Sequence, residues 1–220
     1  METKTFSYES DNIKVTWDKK RCIHAEECVK GLPDVFNINQ KPWIQPENAK
    51  ADAIRNTIHK CPTGALQYEM LNSAQKETPP EINIVRLAED GPVYIHGDIV
   101  IEDLDGNELM KDTRVAMCRC GLSSNKPFCD NSHIEGAFKA DTSFNPERLQ
   151  TEPVTGKGGE LRIKLFPNAP FLVQGHYTLT GKDTDKEQSS KKMSFCRCGA
   201  SSTKPFCDGS HKEIGFNSEA

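Results

Sequence analysis

The stretch CRCGLSSNKPFCDNSH, Cys118 to His133, returns near the C-terminus as CRCGASSTKPFCDGSH, Cys196 to His211. Both copies read C-x-C-x8-C-x3-H, so three thiols and one imidazole fall within sixteen residues, twice. Soft donors at that density and in the same spacing point to a metal centre in each copy. The likeness is wider than the motif. At an offset of 78 with no gap, Leu87, Pro92 and Gly97 fall on Leu165, Pro170 and Gly175, and Glu135 and Phe138 fall on Glu213 and Phe216. A chain built this way is constrained to fold as two copies of one unit, each arranged around its own site.

At 220 residues there is room for a further domain ahead of the repeats. Hydrophobic residues are only 35% while Cys is over-used, which implies small cores whose folding draws on metal ligation. The formal charge is −4 and no run of Lys or Arg forms a patch, which argues against nucleic acid as the main partner. METKTFSYESDN at the start has no apolar segment, and no stretch reaches the length of a membrane span. The expectation is a soluble cytoplasmic protein with no membrane partner. Nine Cys cannot all pair, and tight Cys clusters in a reducing compartment serve metals more often than bridges.

Along the chain, Ile13 to Trp17 alternates with the period of a half-buried strand. Cys22 and Cys28 follow in RCIHAEEC. A helix is expected from about Pro46 to Lys60, with Ile54 and Ile58 on one face, and Cys61-Pro62 closes it. Ala65 to Leu71 reads as a strand, and Trp17, Phe36 and Trp43 as a small core. NSAQKETPP, Asn72 to Pro80, reads as a linker. Strands are expected at Ile82 to Leu87, at Val93 to Ile101, and leading into Cys118 after a turn at Asp105-Gly106. A short helix should follow His133. A second polar connection runs from Asn145 to Glu160, with TGKGGE near Gly156 read as a turn. Leu161 to Phe166 and Phe171 to Leu179 repeat the strands. The division is 1–74, 79–146 and 155–220.

Donor chemistry leaves two readings of C-x-C-x8-C-x3-H. Three Cys and one His can close a tetrahedral zinc site, or hold a [2Fe–2S] cluster with two ligands on each iron. The wording CRCG-x-S-x2-KPFCD-x-SH resembles the CDGSH iron–sulfur family, the NEET proteins, over both repeats from about Ile82 onward. That resemblance implies one [2Fe–2S] cluster on Cys118, Cys120, Cys129 and His133 and a second on Cys196, Cys198, Cys207 and His211. It also implies the tandem arrangement, in which the halves pack as an internal pseudo-dimer. The first copy has Asn131 where the family has Gly. Asn is the next-best residue for a left-handed backbone, so ligation is expected to survive. Asp130 and Asp208 are placed to cap the following helix.

The N-terminal third has C-x5-C and then, 33 residues on, Cys61-Pro62, the outline of a single-cluster ferredoxin. RCIHAEECVKGLPDVF, KPWI and CPTGAL resemble the divergent mono-cluster 4Fe–4S family from about Ile13 to Leu71. Ala25 stands where another Cys would complete C-x2-C-x2-C. The three thiolates of Cys22, Cys28 and Cys61 therefore suit a [3Fe–4S] cluster, or a [4Fe–4S] cluster whose fourth iron takes water, His24 or a Glu. His24 itself reads as a solvated loop residue, and His59, His96 and His176 as surface or packing residues.

Together these readings give an α+β chain: a ferredoxin-like domain followed by two β-rich CDGSH units. Its expected work is electron transfer or redox sensing with a redox partner protein. Transfer or storage of clusters or iron, with an apo-protein acceptor, is the alternative, and a structural zinc module is the third reading. No catalytic constellation remains once the ligands are assigned, so an enzyme is not expected.

Overall fold

In the computed structural model, which describes residues 4–149, 158–182 and 188–219, the chain divides into two units, Met1–Thr78 and Pro79–Ala220. The first unit contains β1 (Thr5–Glu9), β2 (Ile13–Asp18), α1 (Glu27–Gly31), α2 (Ala51–Ile58), β3 (Leu66–Met70) and β4 (Gln75–Lys76). The strands form an antiparallel sheet in the order β1-β2-β3-β4. Alternation works as the period-2 rule requires: Ile13 and Val15 of β2 and Leu66, Tyr68 and Met70 of β3 turn inward. They share one core with Ile54 and Ile58, one helical turn apart on α2, and with Val35, Phe36 and Ile44. Phe36 lies inside this aliphatic core. Trp17 and Trp43 pack edge-to-face, 4.9 Å between centroids, at its margin.

Two local readings need correction. The helix expected over Pro46 to Lys60 is a 3-10 turn at Pro46–Asn48 and then α2, with Ala49 and Lys50 extended between them. At the break the Asn48 side-chain amide donates to Asp34 O at 2.9 Å and Gln45 Oε1 at 2.9 Å, bonds that compete with helix continuation. The linker read at Asn72 to Pro80 also contributes β4, which pairs with the end of β3.

The second unit contains β5 (Ile84–Leu87), β6 (Val93–Glu102), β7 (Glu108–Met117), α3 (Ser132–Glu135), β8 (Glu160–Leu165), β9 (Phe171–Thr180) and β10 (Gln188–Phe195). The first repeat pairs β5-β6-β7 antiparallel, and the second pairs β8-β9-β10 likewise. Between the repeats the pairing is parallel and reciprocal: β5 lies along β9, and β8 lies along β6. Each repeat thus completes the other's sheet. α3 starts at Ser132 and takes in His133, earlier than expected. The polar connection and its TGKGGE turn lie in part outside the described residues, but Gly158 N donates to Glu81 O at 2.7 Å.

One core serves both repeats. Val85, Ile95, Ile101 and Phe128 of the first cluster with Ile163, Val173, Leu179 and Phe206 of the second. Each such side chain contributes about 1.5–3 kcal/mol when fully buried, and a lone repeat would leave much of that surface wet. Asn83, only 1% exposed, fastens the seam. Its Nδ2 donates to Gly159 O at 3.0 Å and His176 O at 2.8 Å, while its Oδ1 accepts from Asp98 N at 3.0 Å. A Cβ on Gly97 would strike the Asn83 amide, so Gly97→Ala would break this seam. Among the described residues no helix is long and apolar enough to cross a membrane.

Candidate metal centres

The end of β7 delivers Cys118, whose N–H donates to Pro127 O at 2.9 Å, while Cys129 N–H returns to Ala116 O at 2.9 Å. The loop over residues 118–129 is thereby closed on the strand, and buried Phe128 pins it into the core. Ser123 Oγ donates to Phe128 O at 2.7 Å, and Lys126 Nζ to Ser123 O at 2.6 Å. The second copy repeats each bond: Cys196 N to Pro205 O at 2.8 Å, Cys207 N to Ser194 O at 3.0 Å, Ser201 Oγ to Phe206 O at 2.6 Å and Lys204 Nζ to Ser201 O at 2.6 Å.

This scaffold sets the donors in pairs. Cys118 Sγ lies 3.7 Å from Cys120 Sγ, and Cys129 Sγ lies 3.4 Å from His133 Nδ1. The second copy gives 3.7 Å for Cys196–Cys198 and 3.4 Å for Cys207–His211 Nδ1. Among the described residues no three His, Cys, Asp or Glu side chains converge on one ion position. A thiol pair and a thiol–imidazole pair on one loop offer two ligands to each metal of a two-metal group.

Cys120 and Cys129 are held as protonated thiols until a metal displaces their protons. The hydrogen bond between the two sulfurs pulls the Cys118 thiol down to about 6 and pushes that of Cys120 up, so the pair keeps a proton in common. Burial pushes Cys129 up to about 11. Backbone N–H groups already face the sulfurs, Leu122 N at 3.4 Å from Cys120 and Asn131 N at 3.5 Å from Cys129. Burial also holds His133 below the usual imidazole value, with nearby Asp130 opposing it, which favours the neutral ring that a metal needs.

Asn131 adopts φ +74° and its counterpart Gly209 φ +98°, so this position does require the left-handed backbone. The capping expectation for Asp130 is only partly met, because Asn131 occupies the cap position itself. Asp130 Oδ1 accepts from Ser132 N at 3.0 Å and Ser132 Oγ at 2.6 Å, and Oδ2 from Ser124 N and Oγ, each at 2.8 Å. It is a clasp across the loop. Burial opposes its charge, yet these donors prevail and draw it down to about 2. Asp208 makes the same four bonds and is likewise lowered.

Sequence reasoning passed over the arginine inside each C-x-C. Arg119 and Arg197 are 1% and 3% exposed. Arg119 donates to the carbonyls of Gly91, Ala88, Ala140 and Asp141 at 2.7–3.2 Å and sits 5.6 Å from the Phe138 ring. Arg197 donates to Ala169 O at 3.0 Å and Phe166 O at 2.7 Å, with Phe216 at 5.5 Å. The signal was present in the repeated CRCG and in the alignment of Phe138 with Phe216.

In the N-terminal unit, Cys22 precedes α1, Cys28 lies on it, and Cys61 follows α2. All three line a cavity of about 480 Å³ together with Trp17, Trp43 and the exposed His24. Buried Arg21 donates to Thr63 O and so ties the Cys22 segment to the Cys61 loop. Burial, then the charges of Cys61 and Cys22, pushes Cys28 up to about 11. Thiols that repel one another's charge around a cavity of this kind fit a polynuclear metal group. His24 stands at φ +52° and Glu26 at φ +62°, flanking the Ala25 that replaces a cysteine.

Residues 8–70 match the family model of the divergent 4Fe-4S mono-cluster, and residues 90–134 and 168–212 each match that of the iron-binding zinc finger of CDGSH type. The chain belongs to these two families, joined in one polypeptide. Its N-terminal region is 36% identical over 61 residues to the uncharacterized protein YjdI of Escherichia coli strain K12, and equally to that of Escherichia coli O157:H7. Each match spans 28% of this chain and 80% of the relative. No solved structure matches the chain. With iron–sulfur families over all three sites, this is an iron–sulfur protein.

Proposed function

We propose that the protein is a cytoplasmic one-electron carrier or redox sensor that works with a redox partner protein rather than as an enzyme. In this reading Cys118, Cys120, Cys129 and His133 hold one [2Fe–2S] cluster, and Cys196, Cys198, Cys207 and His211 hold a second. Cys22, Cys28 and Cys61 hold a [3Fe–4S] cluster, or a [4Fe–4S] cluster with water, His24 or a Glu on the fourth iron. The observation that carries the reading is the pairing of donors, 3.7 Å within each C-x-C and 3.4 Å within each C-x3-H, the same in both copies. Bound there, such clusters supply one-electron redox chemistry.

The residues would do the tuning. A neutral imidazole in place of one thiolate makes each CDGSH site less anionic and raises its potential above that of an all-Cys site. N–H donors on Cys120 and Cys129 act in the same direction. The reciprocal pairing of β5 with β9 and β8 with β6 supports reading the repeats as an internal pseudo-dimer about a two-fold axis. The antiparallel sheet with α1 and α2 supports a ferredoxin-like role for the N-terminal unit.

The test is anaerobic purification with iron and acid-labile sulfide measured per chain, followed by EPR before and after dithionite. Two [2Fe–2S] signals and one three-thiolate cluster are expected. Stoichiometric zinc without sulfide would overturn the reading. A second reading, cluster transfer to an apo-protein, draws on one observation: His133 is part-exposed while Cys118, Cys120 and Cys129 are buried, so the replaceable ligand faces outward. Passage of cluster from the oxidised protein to an apo-ferredoxin would decide for it.

A further inference from the structure

The two CDGSH sites touch. Cys120 and Cys198, one ligand from each, form an antiparallel backbone bridge across the seam between the repeats. In such a bridge facing Cα atoms lie about 4.5–5.5 Å apart. The glycine after each makes this approach possible. A Cβ on Gly121 would collide with the Cys198 carbonyl, and one on Gly199 with the Cys120 carbonyl. At φ +81° and +82° both glycines also hold a backbone that other residues avoid.

Arg119 and Arg197, the middle residues of the two C-x-C runs, have buried guanidinium groups. Both are held by backbone carbonyls, so neither position depends on the metal.

Resting on the cluster assignment above, we infer that the Cys120–Cys198 bridge makes the two CDGSH sites one electrically coupled unit. An electron placed at either site lowers the electron affinity of the other. The chemistry balances simply. Dithionite, through a mediator, gives one electron to each site, and one Fe(III) becomes Fe(II) with no bond made or broken.

The experiment is a potentiometric titration of the anaerobic full-length holoprotein followed by EPR. Two CDGSH waves are expected, differing at least tenfold in electron affinity, which is about 59 mV for a one-electron couple. The EPR lines should broaden between half and full reduction. Unchanged line shape at every potential, with coincident waves, would overturn the inference. His133→Cys lowers and so marks the wave of the first site. In that background reduction of the unmarked site should shift the marked wave, and a marked wave indifferent to it would overturn the inference. Two clusters by iron and sulfide but independent waves would sink this inference alone. Absence of clusters would sink the functional reading beneath it.

Discussion

Arg119 donates to four carbonyls in the first CDGSH copy, whereas Arg197 donates to two in the second among the described residues. The first copy adds a clamp from Asp90 to Lys139 Nζ at 2.6 Å and to Ala140 N at 2.9 Å, where the second uses the uncharged pair Asn168 and Ser218. Cys129 is buried, and its counterpart Cys207 is only half-buried. The donor spacings nevertheless agree to the tenth of an ångström. Ligand geometry is thus set inside the sixteen-residue loop, while the bracing around it has drifted. The second copy is the one expected to lose its metal first.

Removing a ligand gives the largest effect. Cys118→Ser and Cys196→Ser should each empty one CDGSH site and leave the other loaded, read as iron and sulfide per chain. If either substitution empties both, the copies are not independent in ligation and the comparison fails.

Acid comes next. His133 is held below its ordinary value by burial. Its unfolded or released form therefore binds a proton that the folded site refuses, and stability falls as pH drops below about 6.5. Because metal and proton compete for Nδ1, visible absorbance should bleach in that range. His133→Cys and His211→Cys should each slow the bleaching of their own site. Identical decay of wild type, both single variants and the double variant would show that imidazole protonation is not the release step. Wild-type decay in two phases, the faster one abolished by His211→Cys, would sharpen the contrast between copies.

A smaller difference is expected from the arginines. Arg119→Gln removes the donor to one buried and three part-buried carbonyls and should cost on the order of 3 kcal/mol, with Arg197→Gln costing less. Equal drops in Tm would mean that the extra bonds of Arg119 carry no stability. Smallest is Asn131→Gly, which relieves a left-handed backbone and should stabilise by less than about 1 kcal/mol. A loss of stability would show that the Asn131 side chain is itself a brace.

Much of the sites was legible because ligation imposes spacing, and spacing survives in one dimension. The strands of the repeats were legible too, since the opening residues of β6 and β9 alternate in burial. β1 was not. Its TFSYE lies almost wholly exposed at a sheet edge, without alternation in burial. The helix that composition favoured breaks after Asn48, and a competing side-chain bond leaves no trace in periodicity. A buried arginine reads as surface from the sequence. The parallel pairing between repeats was hidden for another reason: an offset shows that two segments are alike, not that each lies beside the other's strand.

That crossing of β5 and β8 has a consequence for how the molecule behaves when it is scarce. Two separate chains sharing such a sheet would meet at a rate set by their abundance and come apart on dilution. Here the two repeats belong to one chain, so each half meets the other at an effective concentration that does not depend on how many molecules are present. A few copies in a cell would be as fully assembled as many, and assembly would respond to the condition of the metal sites rather than to expression level.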